Sequence, residues 1–451
     1  MAEKIDYSQG IYDAKQLGTP KLLILGAQHM FAMFGATVLV PLLTGLSVST
    51  TLLCAGLGTL LFHFLCKGKV PAFLGSSFAY LGGFTIVTNG GANPENLPYA
   101  CAAVALSGLV YVLFSALISA FGIRKMMKFF PPVVTGTVVL SIGLSLISVG
   151  INSFGGGNSA KDFGSMENLL LALFVLVVIL IFKHWTTGFL SSSAILIGIL
   201  AGYVAAFVMG LVLPTTGVTA DGVEFTKAWV LNWNKVAQAS WFAIPKLMPV
   251  KIVFDMRAIM PVMIMFVVTA VETVGDISGV MEGGMNREPT DKELSGGVIC
   301  DGLGSSFAAL FGVLPNTSFS QNVGLVAMTK VVNRMALASG AIFLILCGLI
   351  PKLGALISIM PQAVLGGAAV MMFSSIVVSG IQLITKEKMT PRQLTIVSVA
   401  LGVGYGMGAN SGILAQAPHA FQLICGESGI VPAAFVAILL NVLLPKDDKA
   451  V

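Results

Sequence analysis

Between Ala100 and Ile123 the chain runs for 24 residues without a charged side chain. As a helix this run exceeds the roughly 30 Å hydrocarbon core of a bilayer. Comparable apolar runs recur along all 451 residues, of which 56% are hydrophobic and only 10% charged. A backbone in hydrocarbon must satisfy its own hydrogen bonds, so helices are the expected spanning elements. The pattern predicts an all-α integral membrane fold of about fourteen transmembrane helices, several of them short or broken by glycine.

The polar segment 1–20 carries both signs of charge and lacks a cleavable signal pattern. Six cysteines show no metal-binding spacing and mostly sit in apolar runs, where they read as small core residues. The net charge of +5 reflects basic loops beside a membrane and is not a nucleic-acid signal. With spans numbered in order, 18 of the 25 Lys and Arg residues fall at the termini or in loops after even-numbered spans, against six in the odd loops. Positive-inside bias places the even loops and both termini in the cytoplasm. The expected localisation is the cytoplasmic membrane, multi-pass.

An internal repeat supports this direction of threading. Pro131–Gly136 resembles Pro361–Gly366 at an offset of 230, and the same offset pairs Ser145 with Ser375, Gly150 with Gly380 and Ile151 with Ile381. The first copy follows the basic stretch Arg124–Lys128 and the second leads into Lys386–Arg392, so the copies run in opposite directions. Inverted repeats characterise secondary transporters, with substrate bound at the repeat interface. The expected organisation is an N-terminal segment 1–20, a first repeat 21–213, an extracytoplasmic linker 214–250, a second repeat 251–445 and a cytoplasmic tail 446–451.

Two segments interrupt the helical pattern. Residues 69–80 and 313–324 each combine a proline, a cluster of small hydroxyl residues and a phenylalanine before apolar sequence resumes. Proline removes a backbone donor, and Ser, Thr and Asn compete for backbone bonds. Each segment is either an ordinary loop or an extended stretch leading into a half-helix that lines a cavity. In the second case its free N–H groups, at the positive end of the half-helix, suit a polar or anionic ligand. Gln321 and Asn322, at the start of an apolar run, favour the cavity.

Glu272 follows fourteen uncharged residues, 258–271, and Asp276 comes four residues later, on the same helical face. Such acids either sit at a helix end near water or face a cavity on a substrate or proton path. Glu272 and Gln321 together can read the alternating N–H and C=O edge of a flat heterocycle, with Phe78 and Phe319 stacking on its faces. Asp301 reads equally as a proton site or as a structural hydrogen-bond hub. Gln28 and His29 in the first span read first as a packing contact. There is no Walker loop and no reactive nucleophile beside a base, so neither an ATPase nor an enzyme is expected.

The string from Gln321 to Lys330 resembles the signature Q/E-N-x-G-x4-T-K/R of the nucleobase–ascorbate transporters, or nucleobase:cation symporter-2 family. Gln28-His29 is similar to that family's first-span pair, and Gly75–Ala79 to its third-span segment. The resemblance implies two inverted seven-helix repeats, core and gate domains, extended strands in spans three and ten, an elevator mechanism and a homodimer. It implies Glu272 and Gln321 as substrate ligands. Phe78, Phe319, Ser320 and Asn322 complete the expected substrate site, with Asp276, Asp301, His29 and Gln28 supporting it or coupling protons.

Uracil permeases typically carry Glu where this chain has Gln321 and His where it has Asp276. The combination here is similar to the xanthine/uric acid branch. The expected function is proton-coupled import of xanthine or urate, with uracil:proton symport as the alternative and an anion transporter or channel of similar architecture after that. No cofactor or metal is expected beyond the coupling proton. The expected partners are the nucleobase, the lipid bilayer and a second copy of the chain.

Overall fold

The computed structural model describes residues 18–81, 84, 96–126, 128, 130–157, 159–219, 221–245, 253, 254, 256–418, 422 and 429–445. The expectations for residues 1–17 and for the tail 446–451 lie outside them. Six long helices come first: α1 (Thr19–Thr44), α2 (Val48–Leu65), α3 (Leu97–Phe121), α4 (Pro132–Phe154), α5 (Met166–Trp185) and α6 (Ala194–Val212). Strand β1 (Leu74–Ser76) and a 3-10 turn (Phe78–Tyr80) separate α2 from α3. A small hairpin, β2 (Thr216–Val218) and β3 (Glu224–Thr226), follows α6. Then come α7 (Met256–Met285), α8 (Asp291–Ala309), β4 (Asn316–Ser318), α9 (Ser320–Thr329), α10 (Arg334–Gly348) and α11 (Pro351–Ser358). The described chain ends with α12 (Gln362–Ile384), α13 (Pro391–Ala409) and α14 (Ile430–Leu443).

Helices α1 to α6 and α12 are each long and apolar enough to cross a membrane, and the pair α10–α11, bent by 82°, passes the same test jointly. With that pair taken as one, and with β1 and β4–α9 counted as strand-led segments, seven successive segments precede the β2–β3 hairpin and seven follow it. Local sequence sets the helix ends. Thr290 and Glu293 form a capping box that opens α8, and Thr390 with Gln393 forms another at α13. Pro41 is tolerated near the end of α1, which Gly45 closes in the left-handed conformation.

Two groups of helices result. One holds α1, α2, α3 and α7 to α10 around the strands β1 and β4; the other holds α4 to α6 and α12 to α14. The heart of the second group is the α4–α12 pair. A Cβ on Gly136 would come within 2.7 Å of the Ile384 nitrogen, and one on Gly366 within 2.0 Å of the Phe154 nitrogen. These two contacts exchange under the 230-residue offset. So do Gly150 against Val370 and Gly380 against Leu140, while Gly143 meets Phe373, its own counterpart. The helices therefore cross antiparallel about a local twofold axis, the relation an inverted repeat requires. Only glycine permits so close an approach of the backbones.

Candidate functional site

Strands β1 and β4 pair antiparallel although 240 residues separate them: Leu74 faces Ser318, Gly75 faces Thr317 and Ser76 faces Asn316. The Ser77 N–H donates to the Pro315 carbonyl at 3.1 Å and the Phe319 N–H to the Phe73 carbonyl at 3.0 Å, closing the ladder at both ends. Segments 69–80 and 313–324 are thus not ordinary loops. Each is an extended stretch that turns helical where the pairing stops, at Phe78 and at Ser320. The strands are wholly buried, as irregular backbone at membrane depth must be. Thr59 of α2 bonds both the N–H and the carbonyl of Leu74, at 3.0 and 3.3 Å, and Ser305 of α8 donates to the Asn316 carbonyl at 2.8 Å.

Where the two segments turn helical, a cleft opens between the helix groups. The first group contributes Ser77, Phe78, Ala79, Glu272 and the run Thr317–Ser320; the second contributes Val139 and Ile142 of α4 and Ser375, Ile376 and Ser379 of α12. Glu272 is half-buried at its edge. The Phe78 ring meets Phe373 edge to face at 5.4 Å, bridging the two groups. Six hydroxyl residues and one acid line the cleft beside two rings and an apolar wall, so it can hold a flat polar molecule by both its edges and its faces.

Of the expected residues, Glu272, Phe78, Phe319 and Ser320 meet in this cleft. Gln321 stands in the first turn of α9, and its side chain lies outside the described residues. Asn322 is two positions beyond Ser320, on the opposite helical face. Its amide nitrogen bonds His29 Nδ1 at 3.0 Å and the His29 carbonyl at 3.1 Å, so it ties α9 to α1 and does not line the cleft. His29 is fully buried and lies parallel to Phe73 at 6.2 Å between ring centres; Gln28 beside it is buried too.

Asp276 is buried behind the cleft. It accepts from Ser320 at 2.7 Å and from Ser318 at 3.1 Å, holding β4 and the start of α9 on α7. Asp301, fully buried in α8, accepts from Thr273 at 2.5 Å. Lys330 reaches the Gly283 carbonyl at 2.5 Å and Asn286 at 3.1 Å, fastening the far end of α9 to the end of α7. The cleft residues that the sequence did not single out sit on α4 and α12. Their signal was weak: Ser375 and Ser379, one turn apart on an apolar helix inside the repeat.

The model of the xanthine/uracil permease family, described as "Permease family", matches residues 20–411. The chain belongs to this family of nucleobase–ascorbate transporters. The permease is 32% identical to the xanthine permease of Bacillus subtilis, over 96% of each chain. It is 31% identical to the uric acid permease PucK of that organism, over 93% of this chain and 95% of the relative. It is 33% identical to the uracil permease of the same organism, over 94% and 93%. The transmembrane domain of the cyanobacterial bicarbonate transporter BicA superposes on it with a TM-score of 0.61 at 15% identity, covering 97% of this permease and all of that chain. That likeness is one of fold, an all-α membrane transporter. The permease is a multi-pass membrane protein and not an enzyme.

Proposed function

We propose that this permease imports a purine nucleobase, xanthine first and urate next, by symport with protons. The observation that carries the reading is the cleft itself. It brings one carboxylate, Glu272, together with the points where the two strand-led segments turn helical, with Phe78 and Phe319 beside them. A carboxyl group accepts the ring N–H groups of a nucleobase, and the N-terminus of α9 offers donors to its carbonyls. The rings supply flat apolar surface for stacking. Neutral Gln321 completes the set with two donors and an acceptor, which suits a purine edge.

Relatives named for xanthine, uric acid and uracil are equally similar at 31–33% identity, so overall similarity does not choose among them. Gln321 and Asp276 favour the purine, and uracil remains the second reading on those two positions. The buried carboxyls Asp276 and Asp301 are the proton-carrying groups of this scheme. The α4–α12 group acts as the gate against which the strand-bearing core moves, in a homodimer in the cytoplasmic membrane with both termini inside. The test is uptake of labelled xanthine in competition with unlabelled urate, uracil and guanine, with and without a protonophore. Competition by purines and collapse with the protonophore are expected; uptake of uracil that ignores xanthine overturns the assignment.

A further inference from the structure

Of the residues that the second helix group presents to the cleft, Val139, Ile142 and Ile376 are apolar. Any side-chain hydrogen bond from that wall therefore comes from Ser375 or Ser379. Both stand within α12, a spanning helix of 23 residues, and both are exposed where they line the cleft, while Met372, Phe373 and Gly380 around them are buried. The Ser375 hydroxyl donates to the Met371 carbonyl at 2.8 Å and the Ser379 hydroxyl to the Ser375 carbonyl at 3.0 Å. A hydroxyl has one hydrogen to give and two lone pairs. With the hydrogens spent on the helix backbone, each serine has only acceptor capacity left for the cleft. One turn of helix sets the two side chains about 5–6 Å apart.

From the first group, Glu272 and the start of α9 offer an acceptor and donors suited to the alternating N–H and C=O edge of a six-membered ring. Uracil and xanthine share that edge. A base held by it turns the far side of its ring across the cleft, toward α12. In uracil that side is two C–H carbons. In a purine it is the fused imidazole ring, which carries one N–H in xanthine and two in urate. We propose that Ser375 and Ser379 accept hydrogen bonds from these imidazole N–H groups, and so set the preference for purines over pyrimidines and the balance between xanthine and urate. This rests on the purine reading of the cleft. A wall that accepts an N–H discriminates against a molecule without one, because its acceptors then go unused. A purine bound in this way also ties α12 to α7 and α9 across the cleft.

The test is equilibrium binding of labelled xanthine, urate and uracil to the purified native permease, to Ser375→Ala, to Ser379→Ala, and to the double variants with alanine and with threonine at both positions. Alanine keeps the small size that helix packing needs and removes the acceptor; threonine keeps the hydroxyl. The double alanine variant is expected to bind xanthine about three- to tenfold more weakly, the effect of one neutral hydrogen bond, and urate about tenfold or more weakly, the effect of two. Uracil affinity is expected to stay at its native value, and the double threonine variant to stay near native for all three. Unchanged purine affinity in the double alanine variant overturns the proposal, and so does an equal loss for uracil, which would mean a general disturbance of the cleft. Should the double alanine variant fail to fold, the two single variants decide: each must weaken urate and spare uracil. A native permease that binds uracil and neither purine defeats the purine reading itself, a failure seen before any variant is made.

Discussion

The rings of Phe78 and Phe373 meet edge to face at 5.4 Å, one from the strand-led segment after β1 and the other from α12. Phe373 also stands where α4 and α12 cross, against Gly143. The ring that backs Phe78 is therefore fixed at the axis of the inverted repeat. A nucleobase entering the cleft must share or displace this contact. Phe78→Ala is expected to raise the KM for xanthine about tenfold or more, since stacking of a base on an aromatic ring contributes on the order of 1–3 kcal/mol. Phe78→Tyr keeps the ring and stays near the native value. Initial-rate uptake over a range of xanthine concentrations checks both.

The α4–α12 crossing predicts a graded response to added methyl groups. A Cβ on Gly366 meets backbone at 2.0 Å, and on Gly380 at 2.5 Å, whereas on Gly150 the nearest atom is a Phe373 ring carbon at 3.2 Å. Gly366→Ala and Gly380→Ala are expected to lower the amount of folded permease in the membrane severalfold, and Gly150→Ala little. Abundance and melting temperature of the purified variants measure this. Equal losses at all three would mean that close packing does not govern the pair.

Asp276 and Ser320 act as a unit, because the 2.7 Å bond holds the start of α9 at the cleft wall. Asp276→Asn and Ser320→Ala are each expected to raise the KM, and the double variant to cost less than the two together, with a coupling on the order of 1 kcal/mol. A double-mutant cycle on uptake gives that figure directly. Strict additivity would show that the two act separately.

At the α7–α8 turn, Arg287 bonds Glu293 through both nitrogens at 2.8 and 2.9 Å, drawing its carboxyl down to about 2. A carboxyl held lower in the folded state than in the unfolded one favours folding above its ordinary range. That contribution fades as pH falls from about 4.5 toward 2. Glu293→Gln is therefore expected to lower the melting temperature modestly at pH 7 and by much less near pH 2, where the native acid has taken up much of its proton. Thermal scans at the two pH values check this.

Much of this was legible in the residues. The uncharged runs announced a membrane protein, and the offset of 230 foretold an antiparallel helix pair. The proline and hydroxyl clusters at 69–80 and 313–324 marked where helix gives way. Glu272 was visible because an acid after fourteen uncharged residues has to be explained. The β1–β4 pairing was not legible, since strands of three residues carry no periodicity and their partners are 240 residues apart. Nor was the division of labour among the acids. Glu272 and Asp276 share a helical face, yet small differences in direction send one to the cleft and the other to Ser318 and Ser320.

The exchange of Gln321 for glutamate tests substrate choice. Gln321→Glu replaces two donors with a second acceptor, which suits the N–H groups of uracil. The ratio of half-inhibitory concentrations of uracil and xanthine is expected to fall by tenfold or more. An unchanged ratio would remove Gln321 from the account of specificity.

The central claim is that Glu272 holds the nucleobase. It is tested most directly by equilibrium binding of labelled xanthine to purified native permease and to Glu272→Gln, whose fold is verified by its melting temperature. Binding is expected in the native protein and a loss of at least a hundredfold in the variant, as an acceptor oxygen facing the nucleobase becomes a donor. Equal affinity in the two proteins would contradict the claim and move the substrate out of this cleft.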